Sequence, residues 1–259
     1  TGLVTINAGN TLTLGAAVLD IDMSTASADL ALNCLLAMDG DNVWDVNTGQ
    51  TLTLGGAVSG DFSLTMQGGG TVRLGAGDVL PNGSGNGNVT VDGNLDLNGN
   101  SETLNGLSGS GIIDNAAAST TSTLTVGEFG QTSTFDGILQ NSSGTLNLTK
   151  VGTGTLALGG ANSLSGDVSI TGGTLSLDDI APLANASGIA LADGTTLRSG
   201  FTATVITAPI TLGAASTTAT ITAPLYPPNN VGASTKKELN LQSVISGNGD
   251  LILAGINGY

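Results

Sequence analysis

The segment NTGQTLTLG at residues 47–55 nearly repeats NAGNTLTLG at residues 7–15, forty positions earlier in the chain. A repeat at a fixed spacing indicates a repeated structural unit, so the interval between the two copies decides the fold. Halfway between them, Leu30 and Leu32 reproduce the pattern of two leucines separated by one residue. Residues two apart on a strand share a face, so each pair predicts a short strand with one apolar side.

The pairs continue along the chain, mostly at steps of 18–23 residues. They are Val72/Leu74, Leu95/Leu97, Leu124/Val126, Leu146/Leu148, Val168/Ile170, Ile189/Leu191, Ile210/Leu212 and Leu239/Leu241. A second series of apolar pairs lies between them, and it includes Leu64/Met66, Val89/Val91, Leu156/Leu158 and Leu175/Leu177. Clusters of Gly, Asn, Asp and Ser, which favour turns, separate the pairs.

Short strands that recur about every 20 residues, with at least two strands per period, predict a coil of stacked rungs. We therefore expect an all-β fold, a single elongated parallel β-helix (β-solenoid) over residues 1–259, with about 11–12 rungs of roughly 20–22 residues. At ~4.8 Å per rung the rod would be on the order of 50 Å long. Parallel crossovers favour a right-handed coil. The two nine-residue copies should then lie on the same side, two rungs apart.

Two longer steps, of 27 residues from Leu97 to Leu124 and from Leu212 to Leu239, predict loops that leave the wall of the coil. We place these loop insertions around residues 98–123 and 226–238. Pro227 and Pro228 in the second segment lack the N–H that a strand ladder requires. Both ends of the sequence carry strand pattern without a cap, which predicts a segment of a longer coil or a protomer that stacks end to end.

The charge balance excludes several classes of partner. The chain has 20 Asp and Glu against 5 Lys and Arg, and its formal net charge is −15. A nucleic-acid-binding surface must be basic, and an anionic membrane also attracts basic segments, so neither partner is expected. Direct membrane insertion is not expected either, since no apolar run approaches the ~20 residues that span a bilayer. The single cysteine, Cys34, cannot form an intrachain disulfide.

One long segment carries a family resemblance. Residues 144–177, GTLNLTKVGTGTLALGGANSLSGDVSITGGTLSL, resemble the autotransporter-associated β-strand repeat, also called the passenger-associated transport repeat. The shared pattern is an L-T-K stretch, then G-x-G-T-L-x-L-x-G-x-N and a closing G-G-T-L-x-L; residues 95–111 and 243–259 look like partial copies. The resemblance implies export, a right-handed parallel β-helix, and secreted or surface-displayed proteins of bacteria. It implies no particular activity.

The chain has no histidine, which rules out Ser-His-Asp and Cys-His catalytic sites. Asp39, Asp41 and Asp45 surround the only tryptophan, Trp44; they are candidate oxygen ligands for Ca²⁺, and the indole is a candidate platform for a sugar. An ordinary turn with an incidental tryptophan is the favoured interpretation, because the segment matches no known calcium loop.

The pair Asp178-Asp179 follows a strand, where neighbouring residues point to opposite sides. This placement favours a solvated turn over a catalytic pair.

These patterns predict an extracellular or cell-surface structural protein, not an enzyme, that forms a rod or fibre and uses no catalytic or cofactor site. Its expected partners are copies of itself, stacked end to end, or flanking repeats of a longer chain. The alternative is an adhesin that grips glycans or host surfaces through side loops near Trp44 or residues 226–238. A polysaccharide lyase or hydrolase would need a groove of carboxylates and aromatic rings. An ice-binding solenoid would need Thr-x-Thr on nearly every rung, where this chain has Ala31 and Arg73.

Overall fold

A computed structural model describes residues 2–15, 19–82, 87–178, 183–200, 204–214, 218–223 and 239–254. Within these ranges every regular element is a strand, and the strands are two to six residues long. All strand pairs in these ranges are parallel. The protein is a parallel β-solenoid, and the predicted fold class is confirmed.

The strands are named in chain order. The first ten are β1 (Val4–Ile6), β2 (Leu12–Leu14), β3 (Ile21–Met23), β4 (Leu30–Leu32), β5 (Leu36–Met38), β6 (Asn42–Val46), β7 (Thr51–Leu54), β8 (Val58–Ser59), β9 (Leu64–Gln67) and β10 (Thr71–Leu74). The next ten are β11 (Asn88–Val91), β12 (Asn94–Asp96), β13 (Glu102–Leu104), β14 (Gly106–Ser108), β15 (Ile112–Asp114), β16 (Thr121–Val126), β17 (Ser133–Phe135), β18 (Ile138–Gln140), β19 (Thr145–Lys150) and β20 (Thr155–Leu158). The last ten are β21 (Asp167–Ile170), β22 (Thr174–Leu177), β23 (Gly188–Leu191), β24 (Thr196–Ser199), β25 (Thr204–Ile206), β26 (Ile210–Leu212), β27 (Thr218–Thr222), β28 (Leu239–Leu241), β29 (Ile245–Gly247) and β30 (Asp250–Ala254).

Each coil can contribute one strand to each of three faces. The first face holds β1-β4-β7-β10-β12-β15-β18, and the pair β25-β28 takes the same place in later coils. The second face holds β2-β5-β8 and, after a gap, β13-β16-β19-β21-β23-β26-β29. The third face holds two series of strands, β3-β6-β9-β11-β14 and β17-β20-β22-β24-β27-β30. An isolated bridge between Gly109 and Phe135 joins the two series. Eleven strands therefore follow one another along the third face.

The core consists of the inward residues of these short strands. In β7, for example, Leu52 and Leu54 are fully buried, while Thr51 and Thr53, which alternate with them, are only half-buried. Register partners on successive coils lie directly above one another, so inward residues of the same kind form apolar columns. Burying a leucine side chain contributes roughly 1.5–3 kcal/mol, and the columns supply this contribution on every coil. One hydrophobic cluster runs from Leu14 to Ile221.

Polar side chains at the corners bind each coil to the next. A side-chain oxygen of one coil accepts a backbone N–H about one coil later in the sequence, at a corner where the strand ladder is interrupted. Examples are Asp29 with Thr51 at 2.8 Å and Asn141 with Ser165 at 2.7 Å. Both bonds lie at exposed corners, where they supply a partner for a backbone N–H of the following coil.

The predicted loop around residues 98–123 is wrong, because these residues hold β13, β14 and β15 and the start of β16. The 27-residue step from Leu97 to Leu124 is a change of face, because the strand that holds Leu95 lies on the first face and the strand that holds Leu124 lies on the second. The two nine-residue copies are likewise on different faces, since Leu12 lies in β2 and Leu52 in β7. All three faces carry the same apolar alternation, so spacing alone did not separate them.

The predicted loop at residues 226–238 lies outside the described residues. On either side of it, the register partners Thr204 and Leu239 are 35 residues apart in sequence. Partners on all coils before this one are 18–26 residues apart.

Candidate functional site

Trp44 is a core residue. It lies in the middle of β6, where it points inward between Asn42 and Val46, and its side chain is fully buried. Its register partners on the neighbouring coils are Ile21 and Met66. The sequence interpretations of Trp44 as a turn residue and as a platform for a sugar are therefore wrong. A bulky apolar ring follows the inward alternation of its strand.

The three aspartates around Trp44 do not converge on one point. The Oδ1 atom of Asp41 accepts the backbone N–H of Ser63 at 2.9 Å. The Oδ2 atom of Asp45 accepts from Nε2 of Gln67 at 2.8 Å. Among the described residues, which include Asp39, Asp41 and Asp45, no group of three or more His, Cys, Asp or Glu side chains could hold a metal ion. The carboxylates of Asp41 and Asp45 instead bind the next coil.

Asp178 belongs to a polar cluster on the third face. Its Oδ1 atom accepts the hydroxyl of Ser176 at 3.0 Å. One coil later, Arg198 donates to the same Ser176 oxygen through Nε at 3.2 Å and Nη2 at 3.1 Å. Asp179, the other half of the pair considered from the sequence, lies outside the described residues. Ser176 therefore links Asp178 to Arg198 on the next coil.

Glu102 is an ionisable residue inside the wall that sequence reasoning missed. It is the first residue of β13, and only 1% of its surface is exposed. Its two carboxyl oxygens accept the backbone N–H groups of Val79 at 3.0 Å and Leu80 at 3.1 Å. Burial raises the pKa of Glu102 to about 8, although these two hydrogen bonds oppose the rise. The alternation with Leu104, two residues later, was the signal that Glu102 points inward.

Lys150 is the second buried charge that was missed. It ends β19, continues the inward series of Leu146 and Leu148, and is fully buried. Its ammonium group donates to the carbonyl oxygens of Val151, of Gly152 at 3.1 Å, and of Gly172 at 3.2 Å. Burial lowers the pKa of Lys150 to about 8. Because Gly172 belongs to the next coil, this lysine of the L-T-K motif joins two successive corners.

A shallow depression of about 210 Å³ lies on the second face of the rod. Small outward residues of three successive coils form its floor: Ser169, Ala190 and Thr211 in one column, with Thr171, Ala192 and Gly213 beside them. No ionisable or aromatic side chain lines it. Its surface can make van der Waals and hydroxyl contacts, but no acid or base lines it that could activate these hydroxyls for catalysis.

The described part of the chain has no helix that is long and apolar enough to cross a membrane. Residues 148–177, from the end of β19 to the end of β22, match the model of the passenger-associated-transport-repeat family. The resemblance stated from the sequence is therefore confirmed for this segment. No solved structure matches the chain.

A curated relative shares part of this sequence. The chain is 45% identical over 80 residues to the adhesin BmaC autotransporter of Brucella suis biovar 1 (strain 1330). The shared stretch is 30% of this chain and 2% of that protein, so this chain spans only a small part of the relative's length. Together with the strand topology, these similarities identify a β-helix that carries an autotransporter passenger-type repeat.

Proposed function

We propose that this chain is a segment of an exported structural rod, displayed on the bacterial surface or released outside the cell, and that it is not an enzyme. The observation that carries the proposal is the placement of side chains. Most of the described apolar residues, including Trp44 and Phe135, fill the interior, while outward positions hold mostly small or polar residues. Such a surface suits a spacer that must stay soluble along its length.

The arrangement of carboxylates supports the non-enzymatic part of the proposal. A glycosidase needs two carboxyl groups at a defined separation across one substrate bond. In the described ranges, acidic side chains such as Asp41, Asp92 and Asp114 accept backbone N–H groups of the following coil. These bonds hold the coils together and direct the carboxylates along the rod instead of toward a common point.

Export can be tested on cells that naturally make the protein. Antibodies raised against the purified chain should label intact cells, or the medium around them, without permeabilisation. Treatment of intact cells with an added protease should then remove the signal. Labelling that appears only after lysis would contradict the proposal, and an antibody against a cytoplasmic protein is the control for leakage.

The partner that fits this rod is a further β-helical coil. The first described coil exposes Val4 and Ile6, and the last exposes Ile245 and Leu253, residues with the pattern of the core. Exposed strand edges bind further strands, so we propose that flanking repeats of a longer chain cover them. The much greater length of the curated relative supports this partner. In sedimentation of the 259-residue chain, a monomer at all concentrations supports flanking repeats, and growth with concentration supports stacking of copies.

Adhesion is the second candidate function, because the relative that shares 80 residues is named an adhesin. Beads coated with the folded chain should then adhere to animal cells or to a glycan array more strongly than beads coated with the heat-denatured chain. A variant that lacks residues 226–238 tests the predicted side loop. Adhesion that needs this segment supports the adhesin, and adhesion no greater than that of the denatured control supports the scaffold alone.

A further inference from the structure

The strand ladder of the second face is interrupted at one coil. Residues 75–82 lie between β8 and β13 and contain no strand. The segment still makes backbone bonds to its neighbours: Gly75 N–H to the Leu54 oxygen at 2.7 Å, Val58 N–H to the Val79 oxygen at 2.7 Å, and Asp78 N–H to the Ser101 oxygen at 3.0 Å. Asp78 has a backbone φ of 49°, a conformation that residues other than glycine seldom adopt. The coil is therefore held less regularly here than its neighbours.

The carboxyl group of Glu102 occupies the gap in the ladder. Its two oxygens accept the N–H groups of Val79 and Leu80. These two residues belong to no strand, so the carboxyl group takes the place of a ladder partner. The register partner of Glu102 on the next coil is Leu124, so the carboxyl group lies in an apolar column. One buried side chain thus connects the coil of residues 75–82 to β13.

The charges around Glu102 do not favour its ionised form. The carboxylate of Asp78 lies close enough to raise the pKa of Glu102, and it has the same sign. The strands of the same coil and of the next coil, β12, β14 and β16, present Leu95, Leu107 and Leu124 at their inward positions. Among the described residues no salt bridge reaches Glu102, so a negative charge there is buried without a cation to compensate it.

We propose that this junction is a pH-responsive joint of the rod, closed while Glu102 is protonated and opened locally when Glu102 carries a negative charge. In the open joint water reaches the carboxyl group, whose ordinary pKa is 4.5, whereas burial in the closed joint raises its pKa to about 8. Between these two pH values the closed joint binds more protons than the open joint. The opening equilibrium therefore rises with pH from about 4.5 to about 8 and stays level above it.

Hydrogen exchange of the Val79 and Leu80 amides measures this opening directly. After correction for the intrinsic dependence of exchange on pH, their protection factors should fall by up to about tenfold per pH unit between about pH 5 and pH 8. The Ala192 amide, which binds the Ile170 oxygen at 2.9 Å in the continuous ladder, is the internal reference. Its protection factor should not change over the same range.

Two variants separate the joint from general effects of pH. Glu102→Gln stays uncharged, so the protection of Val79 and Leu80 should no longer depend on pH. Asp78→Asn removes the neighbouring negative charge, so the fall in protection should level off at a lower pH than in the natural chain. If the natural chain shows no fall relative to Ala192, the proposal is wrong. An equal fall in Glu102→Gln also contradicts it, and should that variant not fold, an unchanged profile in Asp78→Asn contradicts it instead.

Discussion

Leu156 of β20 and Leu175 of β22 are register partners on successive coils, and both side chains are fully buried. Replacing either by alanine removes buried methyl groups from a column that cannot easily collapse. We expect each substitution to lower the free energy of unfolding by roughly 2–5 kcal/mol. Thr155 and Thr174, outward register partners on the same strands, are the matched controls, and their replacement by alanine should change stability by less than about 0.5 kcal/mol. Denaturant titration measures the stability of all four variants. Equal losses of stability in the leucine and threonine variants would mean that the leucines are wrongly assigned to the inward side of their strands.

The alternation of residues made much of this fold predictable. Pairs such as Leu146/Leu148 located the strands and their inward sides. Apolar residues that alternate with polar ones are typical of a strand with one buried face, and their return about every 20 residues is typical of a coil. The assignment of strands to faces was not predictable, since all three faces carry the same alternation and turns of varied length separate them. The step from Leu97 to Leu124 was therefore misread as a loop.

The candidate site was predicted less well than the fold. The interpretation of Trp44 followed its aspartate neighbours instead of its own strand, although Trp44 and Val46 alternate inward like every other pair. Glu102 and Lys150 were overlooked because charged residues are seldom buried. Both occupy inward positions in phase with a leucine, and this phase is visible in the amino-acid sequence itself.

Gly152 lies at a corner where only glycine fits. Its φ is 63°, and a Cβ atom there would overlap the carbonyl oxygen of Gly127 on the preceding coil. We expect Gly152→Ala to lower the free energy of unfolding by roughly 2–5 kcal/mol, through backbone strain and overlap together. Gly49→Ala is the control, because Gly49 has a φ of 80° but open space around it, and it should cost only about 1 kcal/mol. Thermal unfolding of the two variants would contradict this account if their losses were the same.

Arg73 and Asp96 form a salt bridge, and we expect the two side chains to contribute unequally to the free energy of unfolding. The Nε atom of Arg73 lies 2.9 Å from Oδ2 of Asp96, and the Arg73 side chain is 42% exposed against 6% for Asp96. Asp96 also accepts the backbone N–H groups of Asn98 and Ala116. Asp96→Ala leaves these groups unsatisfied and should cost about 2–4 kcal/mol, whereas Arg73→Ala should cost less than about 1 kcal/mol. Denaturant titration at low and high salt distinguishes the two, and a larger loss from Arg73→Ala would overturn this interpretation.

Lys150 should make the stability of the rod depend on pH in the alkaline range. Its pKa is about 8 in the folded chain and 10.5 when unfolded, so between these values the unfolded chain binds more protons. The free energy of unfolding should therefore rise with pH over this interval, by up to about 1.4 kcal/mol per pH unit. Lys150→Met lacks the titrating group and should show no such rise. A parallel rise in both proteins would assign the effect to another group.

Successive coils stack in the register of the strand pairs given above, and disulfide cross-linking tests this stacking. Thr149 and Ser169 are outward register partners one coil apart, whereas Ala190 lies one coil beyond Ser169. With Cys34 replaced by alanine, cysteines at 149 and 169 should oxidise readily, because in-register Cα atoms about 4.8 Å apart suit a disulfide. Cysteines at 149 and 190, about 9.6 Å apart, should stay reduced under the same conditions. Cross-linking of the second pair as fast as the first, or of neither pair, would contradict the coil.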